Sequence, residues 1–306
     1  MFTEKLTIDA LPPFSFDLTA EIFANGDKQI RNYEDGKFWQ VIRVNGKLLL
    51  VTVESFGTVD KPEVFVELKA NSVITEEDKK KAEEIVIVLF SLDFDLKPFY
   101  EEVKSDEKMA RLTQKLWGLK SPTTQTAFEA LVDSIVEQQI SLKVANSIEN
   151  RIIKKFGESV DLDGAFYFAY PTPQQLAPVS IEEFRQCGLS LRKGEYIKEA
   201  SRLIIEGKLS LEKLKTYDSS EQIIRELDQI RGIGVWTAEL TILRGMQRLD
   251  ALPADNLGLR RVISRYYRDG KVISSAEARQ IAKSWGKWKG LAAYYLVVAD
   301  MKDIEI

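Results

Sequence analysis

The chain of 306 residues carries 43 Lys and Arg against 47 Asp and Glu, a net charge of −4, with no histidine and a single cysteine, Cys187. The missing histidines exclude Ser/His/Asp and Cys/His nucleophilic machinery, a histidine general base and the usual zinc sites, and one cysteine excludes an internal disulfide framework or a four-cysteine iron–sulfur cluster. With 44% apolar and 29% charged residues, the composition is that of a folded protein large enough for two or three cores, whose chemistry must come from carboxylates, Lys, Tyr, Ser/Thr or a bound group.

The start, MFTEKLTIDALPPFSF, lacks the basic region and long apolar core of a signal peptide, and the longest apolar runs, Ile85 to Phe90 and Leu291 to Ala299, are too short to span a bilayer. No membrane association and a cytoplasmic location are therefore expected. Residues 1–95 read as an N-terminal antiparallel α+β domain. Phe14, Phe16 and Leu18 alternate with polar neighbours as in a strand, FWQVIRV and KLLLVTV flank Asn45-Gly46 as a hairpin, and Val64 to Leu68 supplies a further strand. Thr75 then begins a helix with an acidic first turn and Ile85, Val86, Val88 and Leu89 for its buried face.

From residue 96 to 306 the patterns are helical. Phe99, Tyr100, Val103, Met109, Leu112, Leu116 and Trp117 are expected core positions. FEALVDSIVEQQISLKVANSIENRIIKKF holds two helices separated by a polar corner, Gln138-Gln139-Ile140, with Ser141 as the N-cap of the second. Such a corner is ordinarily just solvated. A loop rich in Pro and aromatics, Tyr167 to Pro178, and the punctuation Gly188-Leu189-Ser190 precede a helix that Gly207 ends.

The stretch Leu227 to Leu259 is the most informative. Gly232 and Gly234 flank Ile233 after the amphipathic run Ile223, Ile224, Leu227, Ile230, and an apolar helix from Val235, which Gly245 could end, follows. A helix that starts at a glycine turn offers unpaired N–H groups to an anion; on spacing alone the same turn is equally an ordinary bend between two helices. Downstream, Asp255 precedes the helical run Leu259 to Tyr267, so that Asp255 or Asn256 serves as an N-cap, a position that also keeps a carboxylate ionised. Arg244, Arg248, Arg260, Arg261, Arg265, Arg268 and Arg279 make the C-terminal part locally basic. Trp236, and Tyr294 and Tyr295 near the end, are aromatic faces on which an electron-poor base could stack.

Together, Ile230-Arg231-Gly232-Ile233-Gly234-Val235-Trp236-Thr237-Ala238, Leu252-Pro253-Ala254-Asp255, Phe128 to Val132, Gln138 to Ser141 and Gly188 to Ser190 with Arg192-Lys193 resemble the helix-hairpin-helix DNA glycosylase superfamily. The nearest likeness is to the branch of bacterial 3-methyladenine DNA glycosylase II. The resemblance runs from about residue 90 to the end; over the N-terminal sheet it is architectural, and is shared with the 8-oxoguanine glycosylases. It implies a hairpin at about 221–245 whose Gly232 and Gly234 amides grip DNA phosphate, with Arg260 and Arg261 as further backbone contacts. It also implies a wedge of Gln139 and Ile140, a base pocket of Trp236, Tyr294 and Tyr295, and Asp255 as the catalytic carboxylate. No cofactor is implied and no metal held by side chains; the hairpin carbonyls can hold a monovalent cation. Strand-cutting relatives carry a Schiff-base lysine two residues after the second hairpin glycine, where this chain has Trp236, and no lysine lies between Lys215 and Lys271. The expectation is a monomeric, monofunctional enzyme acting on damaged double-stranded DNA, releasing 3-methyladenine and 7-methylguanine. The alternatives are an 8-oxoguanine-type glycosylase and a structure-specific DNA-binding protein without chemistry. Leu240 departs from the branch, which can carry a pocket aromatic there.

Overall fold

The computed structural model describes residues 1–305 and opens with strands β1 (Phe2–Asp9), β2 (Arg31–Glu34), β3 (Lys37–Val44), β4 (Lys47–Thr58) and β5 (Lys61–Ala70). These form one antiparallel sheet in the order β1-β5-β4-β3-β2. Two two-residue turns set its register. Asp35-Gly36 and Asn45-Gly46 hold positive φ at both residues, the backbone that matches the twist of the strands it joins, and they pair Glu34 with Lys37 and Val44 with Lys47. The expected helix runs Glu76–Phe90, with a full capping box between Thr75 and Asp78. Its buried face is Ala82, Val86, Leu89 and Phe90, whereas Val88, expected inside, is exposed.

The strand expected around Phe14 to Leu18 is instead a helix, Phe16–Phe23. Phe16, Thr19, Ala20 and Phe23 recur at helical spacing, and this face packs on the sheet through Phe23 on Phe38 (ring centroids 5.3 Å apart) and on the helix Glu76–Phe90 through Phe16 on Phe90. The other face of the sheet is also covered. A short hairpin of β6 (Ser159–Leu162) and β7 (Ala165–Phe168), turning at Asp163-Gly164, places Val160, Leu162 and Ala169 against Val41 and Leu50. No strand is expected there from the sequence, and only Tyr167 and Phe168 fall in the stretch read as loop.

The helical region, expected as one body, has two cores. One combines Leu96 to Leu119 with Leu252 to Ala299, and the other runs from Ala127 to Ala251. Trp117 lies outside the first core: it is 42% exposed, stacks on Tyr100 and donates its indole N–H to Asp60. The second core is built around helices Ala127–Glu137 and Val235–Met246. Gly245 does not end the latter helix. An added Cβ there would lie 2.8 Å from Ala127 Cα and Ala130 Cβ, so glycine lets the two helices touch backbone to backbone.

Candidate active site

The hairpin consists of helix Ser220–Asp228, a turn, and helix Val235–Met246. Ile233 plugs the turn into the core at 1% exposure, while the two glycines beside it differ in kind. Gly232 has φ +88°, and a Cβ there would sit 2.1 Å from the Tyr196 ring, so both backbone and packing demand glycine. Gly234 has φ −81° and faces open space; nothing inside the protein requires it. It is the N-cap of the second helix and supplies no side-chain cap, so the amides of the first turn point outward without partners.

The Gln138-Gln139-Ile140 corner is tied to this turn. Gln138 Nε2 donates to Gly232 O (2.9 Å) and Thr237 Oγ1 (3.0 Å), and Lys193 Nζ donates to the carbonyls of Val136 (2.8 Å) and Gln138 (2.6 Å). The two glutamines therefore divide their roles: Gln138 points inward as a strut, while Gln139 is exposed with φ +58° and Ile140 is 37% exposed beside it. A left-handed non-glycine residue costs about 1–2 kcal/mol and persists where surrounding structure imposes it.

These ties bring helix N-termini together, a feature the sequence reading missed. The helices Leu142–Phe156, Leu191–Ile205 and Val235–Met246, joined by these bonds, each begin with an exposed aliphatic residue, Leu142 (53%), Leu191 (54%) and Val235 (40%), and the helix Leu257–Tyr267 that follows Asp255 begins in the same way with Leu257 (76%). Ser-Leu, Ser-Leu, Gly-Val and Asn-Leu are the sequence signals, each a cap followed by an apolar residue that finds no core. The positive ends of these helices favour phosphate.

Asp255 follows the buried run Leu252-Pro253-Ala254. Asn256, and not Asp255, caps the helix Leu257–Tyr267, accepting from Leu259 N at 2.9 Å. Asp255 is thus free of structural duty, with its side chain 54% exposed and Arg279 Nη2 3.7 Å from Oδ2. Arg279 is held from behind: Nη1 donates to Glu239 Oε1 (2.9 Å) and to Leu252 O (3.0 Å). Glu239 is 4% exposed, and burial together with the nearby Asp255 pushes its carboxyl above the ordinary range while Arg279 pulls it back.

Of the expected pocket aromatics, Trp236 is half-buried, and both its indole Nε1 and the Tyr294 hydroxyl are buried without a partner. Tyr295 is corrected. It is fully buried, and its hydroxyl donates to Leu119 O (2.7 Å) and lies 3.2 Å from the Tyr100 hydroxyl. Adjacent helical residues point about 100° apart, and Tyr295 takes the core direction.

The expected basic surface is corrected as well. Arg244 bonds Glu137, Arg248 bonds the carbonyls of Lys215 and Tyr217, and Arg265 bonds Asp300 and Asp303. Arg260, expected on DNA, donates to Ile273 O at 3.3 Å and has a buried, unpartnered Nε. Arg261 alone of that pair is open, 80% exposed with Asp300 at 3.6 Å. Cations gather elsewhere, around a groove of about 730 Å³ beside the helix that follows the corner, where Lys143, Arg151, Lys154 and Lys155 line one wall and Asp27 pairs with Lys154 at 2.7 Å. Among the described residues no group of three Cys, Asp or Glu side chains could hold a metal ion. A cation at the hairpin would rest on main-chain carbonyls, of which Gly232 O already accepts from Gln138.

The profile of the HhH-GPD superfamily of base excision DNA repair proteins matches residues 132–287, and that of the 8-oxoguanine DNA glycosylase N-terminal domain matches residues 25–131. A DNA-3-methyladenine glycosylase of Bacillus subtilis is 30% identical over 290 residues, 93% of this chain and 94% of that protein. The solved 3-methyladenine DNA glycosylase of Archaeoglobus fulgidus superposes with a TM-score of 0.85 at 25% identity, over 98% of this chain and 100% of that one. The Schizosaccharomyces pombe 3-methyladenine DNA glycosylase in complex with abasic DNA is 28% identical, with a TM-score of 0.57 over 67% of this chain and 97% of that one. The chain belongs to the HhH-GPD superfamily of base excision DNA repair proteins, in the branch of the DNA-3-methyladenine glycosylases.

Proposed function

We propose that the protein is a monofunctional DNA glycosylase that releases alkylated purines, chiefly 3-methyladenine and 7-methylguanine, from duplex DNA as a monomer. The observation that carries this reading is Asp255: an exposed carboxylate beside the hairpin, relieved of capping by Asn256. The converging helix N-termini and the Gly234 turn take DNA phosphates. Gln139 enters the stack in place of the flipped nucleotide, because the glycosidic bond of a stacked base is out of reach. Trp236 offers its face to the cationic base. The bond from C1′ to the base nitrogen then breaks with its electron pair leaving on the base, whose positive charge is thereby neutralised. Asp255 stabilises the oxocarbenium-like sugar electrostatically, and water adds to C1′ with loss of a proton, giving free base and an abasic site.

No lysine between Lys215 and Lys271 is present to form a Schiff base in the hairpin, so the DNA strand stays intact. The reading is tested by incubating methylated duplex with wild type and with Asp255→Asn and identifying released bases by mass. Release by wild type that drops at least a hundredfold in the variant supports it. Full activity in Asp255→Asn removes the carboxylate from the mechanism, trapping of a covalent adduct with borohydride favours the 8-oxoguanine-type alternative, and DNA binding without release of any base favours the non-catalytic one.

A further inference from the structure

Asp255 stabilises a cationic sugar only to the extent that its charge is not cancelled, yet the cation Arg279 stands 3.7 Å away. The resolution lies one layer deeper. Arg279 Nη1 is bonded at 2.9 Å by Glu239, a side chain with 5% exposure on the hairpin's second helix, three residues and hence about one helical turn beyond Trp236. Leu252 O accepts from the same nitrogen at 3.0 Å and fixes the guanidinium to the loop that delivers Asp255. Lys289 reaches Glu239 only through the weaker long-range field, with Asp255 and Arg279 both acting on it more strongly.

Resting on the glycosylase reading above, we infer that Glu239 and Arg279 are positioning residues that orient Asp255 as a neutral pair, so that the trio presents one net negative charge to the sugar. Arg279 alone would hold Asp255 in place and at the same time neutralise it. Glu239 removes that conflict by balancing the guanidinium from the buried side. The hairpin that grips DNA is thereby coupled directly to the carboxylate, since Glu239 and Trp236 share one helix.

The inference predicts an unusual sign in a double-mutant cycle. Glu239→Gln keeps the shape and the bond to Arg279 but leaves its charge unbalanced. Single-turnover base release should then slow by on the order of tenfold to a hundredfold, the effect of a unit charge beside the reacting sugar after allowance for solvent screening, with the Kd for lesion DNA changed less than threefold. Adding Arg279→Gln to Glu239→Gln removes the unbalanced cation and should restore at least a third of the lost factor. A purely structural role predicts the opposite, because two lost partners leave Asp255 looser than one; a double variant as slow as or slower than Glu239→Gln overturns the inference, as does a Glu239→Gln enzyme at wild-type rate. Thermal unfolding is followed for each variant. If Glu239→Gln does not fold, Arg279→Gln, on a half-exposed side chain, carries the test: its rate should fall less than tenfold, and a hundredfold loss overturns the charge account. Wild type that releases base in an Asp255-dependent way, measured in the same series, separates failure of this inference from failure of the glycosylase reading.

Discussion

The two hairpin glycines should separate folding from DNA binding. At Gly232, alanine must hold φ near +88°, which costs about 1–2 kcal/mol for an L residue. Its Cβ also falls inside the Tyr196 ring, 2.1 to 2.3 Å from three ring carbons, and overpacking of this kind adds roughly 1–3 kcal/mol. Gly232→Ala should therefore lose about 2–5 kcal/mol in urea unfolding, seen as a lower midpoint at unchanged m. At Gly234 the backbone suits alanine and the Cβ meets nothing within 4 Å. The stability loss of Gly234→Ala is confined to a poorer N-cap, up to about 1 kcal/mol. If phosphate approaches the free amides there, the added methyl should displace a charge-assisted hydrogen bond of about 1.5–3 kcal/mol, weakening DNA binding on the order of tenfold or more in anisotropy titrations at fixed salt. Wild-type affinity in Gly234→Ala, with the fold intact, refutes the assignment of this turn to the DNA backbone; wild-type stability in Gly232→Ala refutes the steric argument.

Gln139→Gly relieves the strain at φ +58° and should gain about 1 kcal/mol in urea unfolding, while slowing base release because the wedge side chain is gone; loss of both stability and activity contradicts the division of roles at this corner. Stability should also fall with rising pH. Burial, outweighing Arg31, pushes Glu129 from its ordinary 4.5 up to about 8, so the fold binds this proton more tightly than the unfolded chain does. That contribution is full below pH 4.5 and lost as pH rises through about 8, at roughly 1.4 kcal/mol per pH unit for one group. Glu129→Gln should flatten the slope between pH 5.5 and 8 in denaturant titrations, and a wild-type stability that is constant over that window excludes the protonated carboxyl.

What the sequence disclosed followed from local rules. Asn45-Gly46 and the Thr75 cap specify their own turn and helix end, and Gly232-Ile233-Gly234 announces a bend whatever surrounds it. What it concealed depends on partners distant along the chain. Phe16 and Leu18 alternate as in a strand until Phe38 and Phe90 arrive to bury a helical face instead. Arginine counting gave a basic C-terminal surface because no local pattern foretells that Asp300 and Asp303 will meet Arg265, or Glu137 meet Arg244. Asp255 was placed by motif, but Arg279 and Glu239, 24 and 16 residues away in opposite directions, carry no spacing signal. Gly245 misled for a related reason: a glycine near a helix end reads as a stop, and only the backbone of Ala127 shows it to be a contact.

The N-terminal domain acquires a purpose from a seam of buried charge. Glu129, Asp133 and Glu137 recur every four residues on one face of the helix Ala127–Glu137. Arg31 of β2 lies 3.5 Å from Glu129 and 3.6 Å from Glu149, Tyr170 donates to Asp133, and Arg244 of the hairpin helix bonds Glu137 at 2.5 Å. Four carboxylates thus face two guanidinium groups. Burial pushes Glu129 up to about 8 and Asp133 up to about 6, and lifts Glu149 well above the ordinary carboxylate range, so that the seam holds protons that exposed carboxyls would have lost and its excess of acidic groups over Arg31 and Arg244 is reduced. A charge seam of this kind adds little net stability over an apolar one. Its geometric effect is larger. An apolar face tolerates rotation of the helix, whereas these pairs hold it between the sheet domain and the hairpin. Rotation by a single residue, about 100°, would carry Gln138 away from Gly232 O and Gln139 away from the exposed corner. The sheet domain bears none of the residues assigned to chemistry, but through Arg31 it fixes the rotational setting of the helix that aims the wedge.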